Sequence, residues 1–300
     1  MPGNDRRPEV EVQRRDGFAL VAVLWLAGLI AAIAAGFAVS VRVNLLTHAA
    51  ALHGQQLEAA ADGLAHLTAF RLAAEAEAGI PAPGVAKRCR WNAGIAAEVL
   101  VQDQFGLIDL NAAPLDLLRR LAAGVGASPG DAETIAAAIG DFRDADHEAA
   151  QGGGEPEVYP ELDFGPKNAP FEATQEIDQL PGMTETLYRA MLPHVTIYSQ
   201  RAGFDPAAMT PALKAVLGFS SSGEPPTDLV GLIEVSPKRV YGIDARVATA
   251  SGNRYRRLAI VALERHPDRP YTIFTWQRGG EFDMGPPVVT ACFEAGSALQ

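Results

Sequence analysis

The apolar positions of this chain change their spacing three times, and each change marks a different element. From Phe18 to Val41 they are continuous: 24 residues carry no charge, no Pro and no polar side chain other than Ser40. At about 1.5 Å of rise per residue, such a run is long enough to cross a bilayer as a helix. From Arg42 to Ala78 the pattern becomes periodic, with Leu46, Ala50, Leu57, Ala60, Leu64 and Leu67 recurring at three-, four- and seven-residue steps. That is one stripe of an amphipathic helix, and Gly79 and Pro81 supply its stop. The two stretches predict one continuous helix of roughly 60 residues, on the order of 90 Å.

Beyond Lys87 the period shortens. Arg88 to Trp91 and Ala97 to Gln102 read as strands around an Asn92-Ala93-Gly94 turn, followed by Asp103-Gln104-Phe105-Gly106 and then Leu107 to Leu110. From Asn111 to Ser199 the pattern is helical and polar. Asn111 is placed to cap a helix with Pro114 in its first turn and Leu115, Leu117, Leu118 and Leu121 on its buried side. Ser128-Pro129-Gly130-Asp131 opens a second helix over Ala132 to Phe142. A long acidic loop, Arg143 to Asn168, leads to two further helical pieces, Thr174 to Leu180 and Thr184 to Leu192. Phe204 to Leu217 is a short helical piece, and Ser220 to Thr227 a polar linker. Alternation then returns over Val240 to Thr249, Tyr255 to Glu264 and Tyr271 to Arg278, an antiparallel meander. The fold class this implies is α+β, with the long helix first, the meander last and a helical insertion splitting the domain.

Charge sharpens that division. The formal net charge is −11. The segment from Asp109 to Val195 alone holds 16 Asp and Glu against 5 Lys and Arg. An acidic surface of this kind argues against nucleic-acid binding, which needs a basic face for phosphate. Upstream of the apolar run, Arg6, Arg7, Arg14 and Arg15 mark the leader as the cytoplasmic side, so the body of the chain is exported.

The chain carries no HExxH, GxSxG, P-loop or post-strand GxGxxG pattern, and its six histidines are scattered, so the expectation is that it is not an enzyme. Asp141, Asp144 and Asp146, with Glu155 and Glu157 further on, gather hard oxygen donors of the type calcium prefers. The spacing is not that of an EF-hand, because Ala149 stands where the loop glycine belongs; a calcium cluster and a solvated acidic loop are the two readings. Cys89 and Cys292 fit no zinc pattern, and in an oxidising compartment a disulfide and two separate buried thiols are both open.

The Arg14-Arg15-Asp16-Gly17 junction running directly into Phe18 resembles the processing site of type IV pilins and pseudopilins, whose peptidase cuts after the Gly. By that resemblance Gly17 and Phe18 flank the cut, and Ala22 stands at the fifth mature position, where most of the family has Glu. Further likeness comes from Leu110-Asn111-Ala112-Ala113-Pro114, the Asp141-Phe142-Arg143-Asp144-Ala145-Asp146 run, Lys167-Asn168-Ala169-Pro170-Phe171, and Glu176-Ile177-Asp178-Gln179-Leu180 leading into Pro181-Gly182-Met183-Thr184. In this order they resemble the K-type minor pseudopilin of the type II secretion system. The resemblance implies a pilin-like helix packed on an antiparallel sheet, with an inserted all-α domain of helix-hairpin-helix or SAM-like type.

The implied boundaries are a leader at 1–17, a transmembrane half-helix at 18–41, and the amphipathic helix with first strands at 42–110. The insertion takes 111–219 and the closing strands 228–300. The family further implies a role at the pseudopilus tip, with I- and J-type partners, other pseudopilins and the prepilin peptidase. Calcium in the helical domain, a single-pass inner-membrane anchor and a globular part in the periplasm complete the expectation. A membrane-anchored DNA-uptake protein and a minor pilin of a type IV pilus are the alternatives.

Overall fold

The computed structural model describes residues 16–74, 82–145, 167–266, 268–285 and 292. Helix α1 runs unbroken over Asp16–Ala74, 59 residues. It is shared by two units that meet between Gln56 and Leu57. The first is helix alone. Its stretch Ala19–Asn44 has a mean hydropathy of 2.5 and none of it is buried. Leaving one large apolar side chain in water forgoes about 1.5–3 kcal/mol, so a helix that exposes Leu24, Trp25, Ile33 and Phe37 together is built for lipid or for neighbouring helices.

In the second unit the helix turns one face inward. Leu57, Ala60, Ala61, Leu64, Ala65, Ala69 and Leu72 are buried in a core shared with a five-stranded antiparallel sheet. Its strands are β1 (Lys87–Asn92), β2 (Ile95–Asp103), β5 (Val240–Thr249), β6 (Arg254–His266) and β7 (Arg269–Arg278), in the order β1-β2-β5-β6-β7. Alternation decides which side chains meet the helix: Tyr241, Ile243, Ala245 and Val247 point in along β5, with Val99 and Val101 beside them on β2. The small residues on α1 allow a close approach, and a methyl added at Gly63 would stand 2.9 Å from the Trp91 ring.

Between β2 and β5 the chain builds a second core. A 3-10 turn at Gln104–Gly106 leads to β3 (Ile108–Asp109), α2 (Leu115–Gly124) and α3 (Pro129–Arg143). A 3-10 stretch at Thr174–Gln179, α4 (Glu185–Met191), β4 (Val195–Thr196) and α5 (Pro211–Val216) follow. Leu117, Leu118 and Leu121 of α2 pack with Ile135 and Ile139 of α3, Ile177, Met191 and Leu213. β3 and β4 pair in parallel, Ile108 with Val195 and Asp109 with Thr196, which brings the two ends of the segment that holds α2, α3 and α4 side by side.

Some local expectations change. Pro114, not Asn111, occupies the N-cap of α2. The Asn111 amide instead accepts from the Phe171 N–H at 2.7 Å and donates to the Phe171 carbonyl at 3.0 Å, tying two loops together. Leu115 is 40% exposed at the helix start rather than on the buried side. Thr174–Gln179 winds as 3-10 rather than α; the Glu176 carboxylate accepts from the Glu172 and Ala173 N–H groups at its start, and Pro181 keeps Leu180 extended at its end. The polar linker runs into a 3-10 turn at Thr227–Leu232 that periodicity did not show.

Candidate functional site

Gly17 and Phe18 lie in the first turn of α1, with no break in the helix, and Ala22 is exposed on it about one turn further on. Residues 1–15 of the leader lie outside the described residues.

On the sheet, β6 carries Arg257 on the face that meets α1, where alternation demands an apolar residue, and it is only 6% exposed. Its Nε donates to Asp62 at 2.5 Å, and its Nη2 donates to Glu58 at 3.0 Å and to the Tyr255 hydroxyl at 2.8 Å. The Tyr255 hydroxyl in turn donates to Glu58 at 2.8 Å. That hydrogen bond, with the help of Arg257 and against the pull of burial, holds the Glu58 carboxyl below its ordinary range. Glu58 and Asp62 are four residues apart and so share a helix face. One arginine thereby fixes both the rotation and the height of α1 on the sheet. Sequence reasoning missed this pin. Its signal was present: a charge at an inward strand position, with two carboxylates spaced i, i+4 beside the apolar stripe.

A second group of polar contacts holds the insertion at its root. Asp109, 1% exposed, accepts from the Asn111 N–H at 2.9 Å, the Ser199 hydroxyl at 3.0 Å and the Gln200 N–H at 2.7 Å. Burial pushes its carboxyl up from the ordinary value, against the pull of those donors. Arg143, at the end of α3, donates to the carbonyls of Leu110 at 2.7 Å and Ala113 at 2.9 Å. Ser236 joins the two stems: its hydroxyl donates to Asp103 at 2.6 Å and its N–H to Asp205 at 2.9 Å. Gly106 is required here, because a Cβ on it would lie 2.1 Å from the Ala208 carbonyl oxygen.

Of the calcium candidates, Asp141 is buried near the end of α3 and Asp144 follows as its C-cap, two oxygen-donor side chains of the right chemistry on adjacent turns. Asp146, Glu155 and Glu157 lie outside the described residues. Among the described residues no three His, Cys, Asp or Glu side chains converge as a metal site. Cys89 on β1 and Cys292 are joined in a disulfide with Cα atoms 4.8 Å apart, and the Cys292 N–H donates to the Arg90 carbonyl at 3.1 Å. The chain beyond β7 is thus tied to the opposite edge of the sheet.

A long helix, apolar in its first part and laid on an antiparallel sheet in its second, with a helical body hung between two strands, defines an α+β subunit whose apolar stretch fits a single-pass membrane anchor. Residues 99–200 match the family model described as type II secretion system (T2SS), protein K. A chain in the crystal structure of the GspK-GspI-GspJ complex from the enterotoxigenic Escherichia coli type 2 secretion system shares the fold, with a TM-score of 0.56 and 17% identity. The likeness covers 77% of this chain and 98% of that one. No curated protein matches. The family match covers β2 from Val99 and the insertion as far as Gln200, and outside those residues the likeness is one of fold.

Proposed function

We propose that the protein is a structural subunit at the tip of the type II secretion pseudopilus, where it starts or caps assembly and helps folded proteins cross the outer membrane. The carrying observation is the helical body inserted between β2 and β5. A pilin-like helix and sheet pack into a filament through α1, and a second core of this size beside them fits at an end better than within the shaft. The exposed apolar half of α1 supplies the assembly chemistry: leaving lipid is favourable only where other helices bury it. The fold likeness to a chain of a GspK-GspI-GspJ complex supports I- and J-type subunits as partners, with the anchor in the inner membrane and the globular part in the periplasm. Processing by the prepilin peptidase between Gly17 and Phe18 belongs to the same proposal, as does the absence of an enzymatic role.

Mass spectrometry of protein made beside its own prepilin peptidase tests the class, with a mature chain beginning at Phe18 expected. A chain still carrying its leader, or one cut inside the apolar run, would remove the pilin-type assembly mechanism. Calcium bound by Asp141, Asp144 and the acidic residues that follow is also proposed. Millimolar calcium should then raise the unfolding temperature of the helical body, and an unchanged transition refutes it.

A further inference from the structure

The two edges of the five-stranded sheet are treated differently by the chain itself. At β1 the Cys292 N–H donates to the Arg90 carbonyl at 3.1 Å, and the disulfide fixes it there. At β7, among the described residues, no strand pairs with the outer side. The chain leaving β7 turns back over the sheet, where the Gly279 N–H donates to the Arg256 carbonyl on β6. The open edge therefore keeps a row of backbone donors and acceptors in water. Its guards stand at its ends, Pro270 near the start and an arginine at either terminus, while its middle is β-branched and aromatic.

Beside this edge lies a groove of about 540 Å³ between α1 and β7. The register sets Tyr271 opposite Leu263 and Ile273 opposite Val261, so both face α1, and His66 and Phe70 line the groove with them. His66 is held in place, its Nδ1 2.9 Å from the Tyr271 hydroxyl and its ring stacked on Trp276 with centroids 4.5 Å apart. Phe70 is 54% exposed and Ile273 39%, so the groove has an apolar lip on each side. Phe274 is the extra residue of a bulge against β6, and its ring, 51% exposed, stacks on Tyr198 with centroids 5.9 Å apart. A strand laid along β7 would thus meet Phe70 and Ile273 with the side chains on one face and Phe274 with those on the other.

We propose that β7 receives an extended strand of another protein, with apolar side chains at alternate positions and no basic residue at its ends, which continues the sheet and fills the groove. Main-chain hydrogen bonds give such an addition its affinity, and sites for alternate side chains give it specificity. Charge decides against a second copy of this chain as the occupant. β7 carries an arginine at each end and no acid, so antiparallel pairing of two copies would set arginine against arginine at both ends. The chain's own continuation is committed to the opposite edge through Cys292. The assignment does not rest on the tip position.

The test is hydrogen exchange read by mass spectrometry on the full-length protein in neutral detergent, with a millimolar heptapeptide of alternating valine and threonine as the probe. The peptide slows exchange over Arg269–Arg278 and in no other strand. The same peptide N-methylated at every second residue, which removes the donors of one edge, gives no protection. Phe70→Ser and Ile273→Ser each raise the peptide concentration for half-protection about tenfold. Val230→Ser, at an equally exposed position on the 3-10 turn Thr227–Leu232, leaves it unchanged. No protection at millimolar peptide, equal protection by the methylated peptide, or an equal loss with Val230→Ser overturns the proposal. Protection of β7 that grows with protein concentration in the absence of peptide also overturns it, and makes the occupant a second copy.

Discussion

Cutting the Cys89–Cys292 bond should destabilise the sheet and spare the insertion. The two cysteines are 203 residues apart, so the bond closes a loop containing almost the whole of the second unit. Loop-closure entropy for that length amounts to about 5 kcal/mol at 25 °C. For a body of this size each kcal/mol moves the midpoint by about 2–4 °C, so Cys89→Ala should lower it by roughly 10–20 °C. The bond ties β1 to the end of the chain, and both places belong to the core of α1 and the sheet. The insertion has its own core, and opening that core while the sheet stays folded leaves the loop closed. Tryptophan separates the two events, because Trp91 and Trp276 pack against the sheet core and the third, Trp25, lies on the exposed apolar helix. The assay is fluorescence-monitored thermal unfolding of the full chain in neutral detergent, oxidised against reduced and wild type against Cys89→Ala, with far-UV circular dichroism following the helices. The tryptophan transition should fall and any separate helical transition should stay. Coincident tryptophan midpoints for the oxidised and reduced protein, or alkylation of both thiols in unfolded, unreduced chain, would refute the reasoning.

Arg257→Ala leaves Asp62 and Glu58 without their buried partner, and because those carboxylates are partly exposed, the loss should fall near the lower end of the range for broken buried pairs, about 3 kcal/mol by urea denaturation. Arg257→Lys should recover only part of it, since one ammonium cannot reproduce the forked contacts. Gly106→Ala drives a methyl into the Ala208 carbonyl and should cost about 3 kcal/mol or more, whereas Gly231→Ala, which meets open space, should stay within about 1 kcal/mol. His194 is 9% exposed with no partner for its Nδ1 among the described residues, and burial pushes its imidazole below the ordinary value. The unfolded chain therefore takes up the proton first, so stability from this group is complete above the unfolded value near pH 6.5 and is lost as pH falls below it. His194→Leu should accordingly show a smaller fall in midpoint between pH 7 and pH 5.5 than the wild type, and parallel curves would exclude the assignment.

The elements that periodicity alone dictates were legible. The continuous apolar run and the stripe after it became α1, and strict alternation became the meander, because burial on one face leaves a strand or helix little choice of register. The elements that depend on distant partners were not. The two-residue pair β3–β4 exists through contacts between Ile108 and Val195 that no local window contains. Asn111 looked like a cap because its type and spacing suit one, but Phe171 offered it both a donor and an acceptor. Arg257 went unremarked: its inward register and the i, i+4 carboxylates are in the sequence, but nothing local says that the two elements meet. The acids named for calcium were legible as a composition, and a composition fixes neither distance nor direction.

The parallel pairing of β3 with β4 also bears on the order in which the chain folds. β2 cannot complete the sheet until it meets β5, and the innermost pair of that ladder joins Asp103 to Tyr241, on opposite sides of the whole insertion. If the helical body forms first, it brings β3 beside β4, and the loop that remains to be closed shrinks from well over a hundred residues to a few tens or fewer. The saving in closure entropy is about 1–2 kcal/mol on the barrier to sheet formation. Pulse-labelled hydrogen exchange should therefore protect Leu118 and Ile139 before Val99 and Val101. A body that looks like an appendage to the sheet then acts as the jig on which the sheet is assembled.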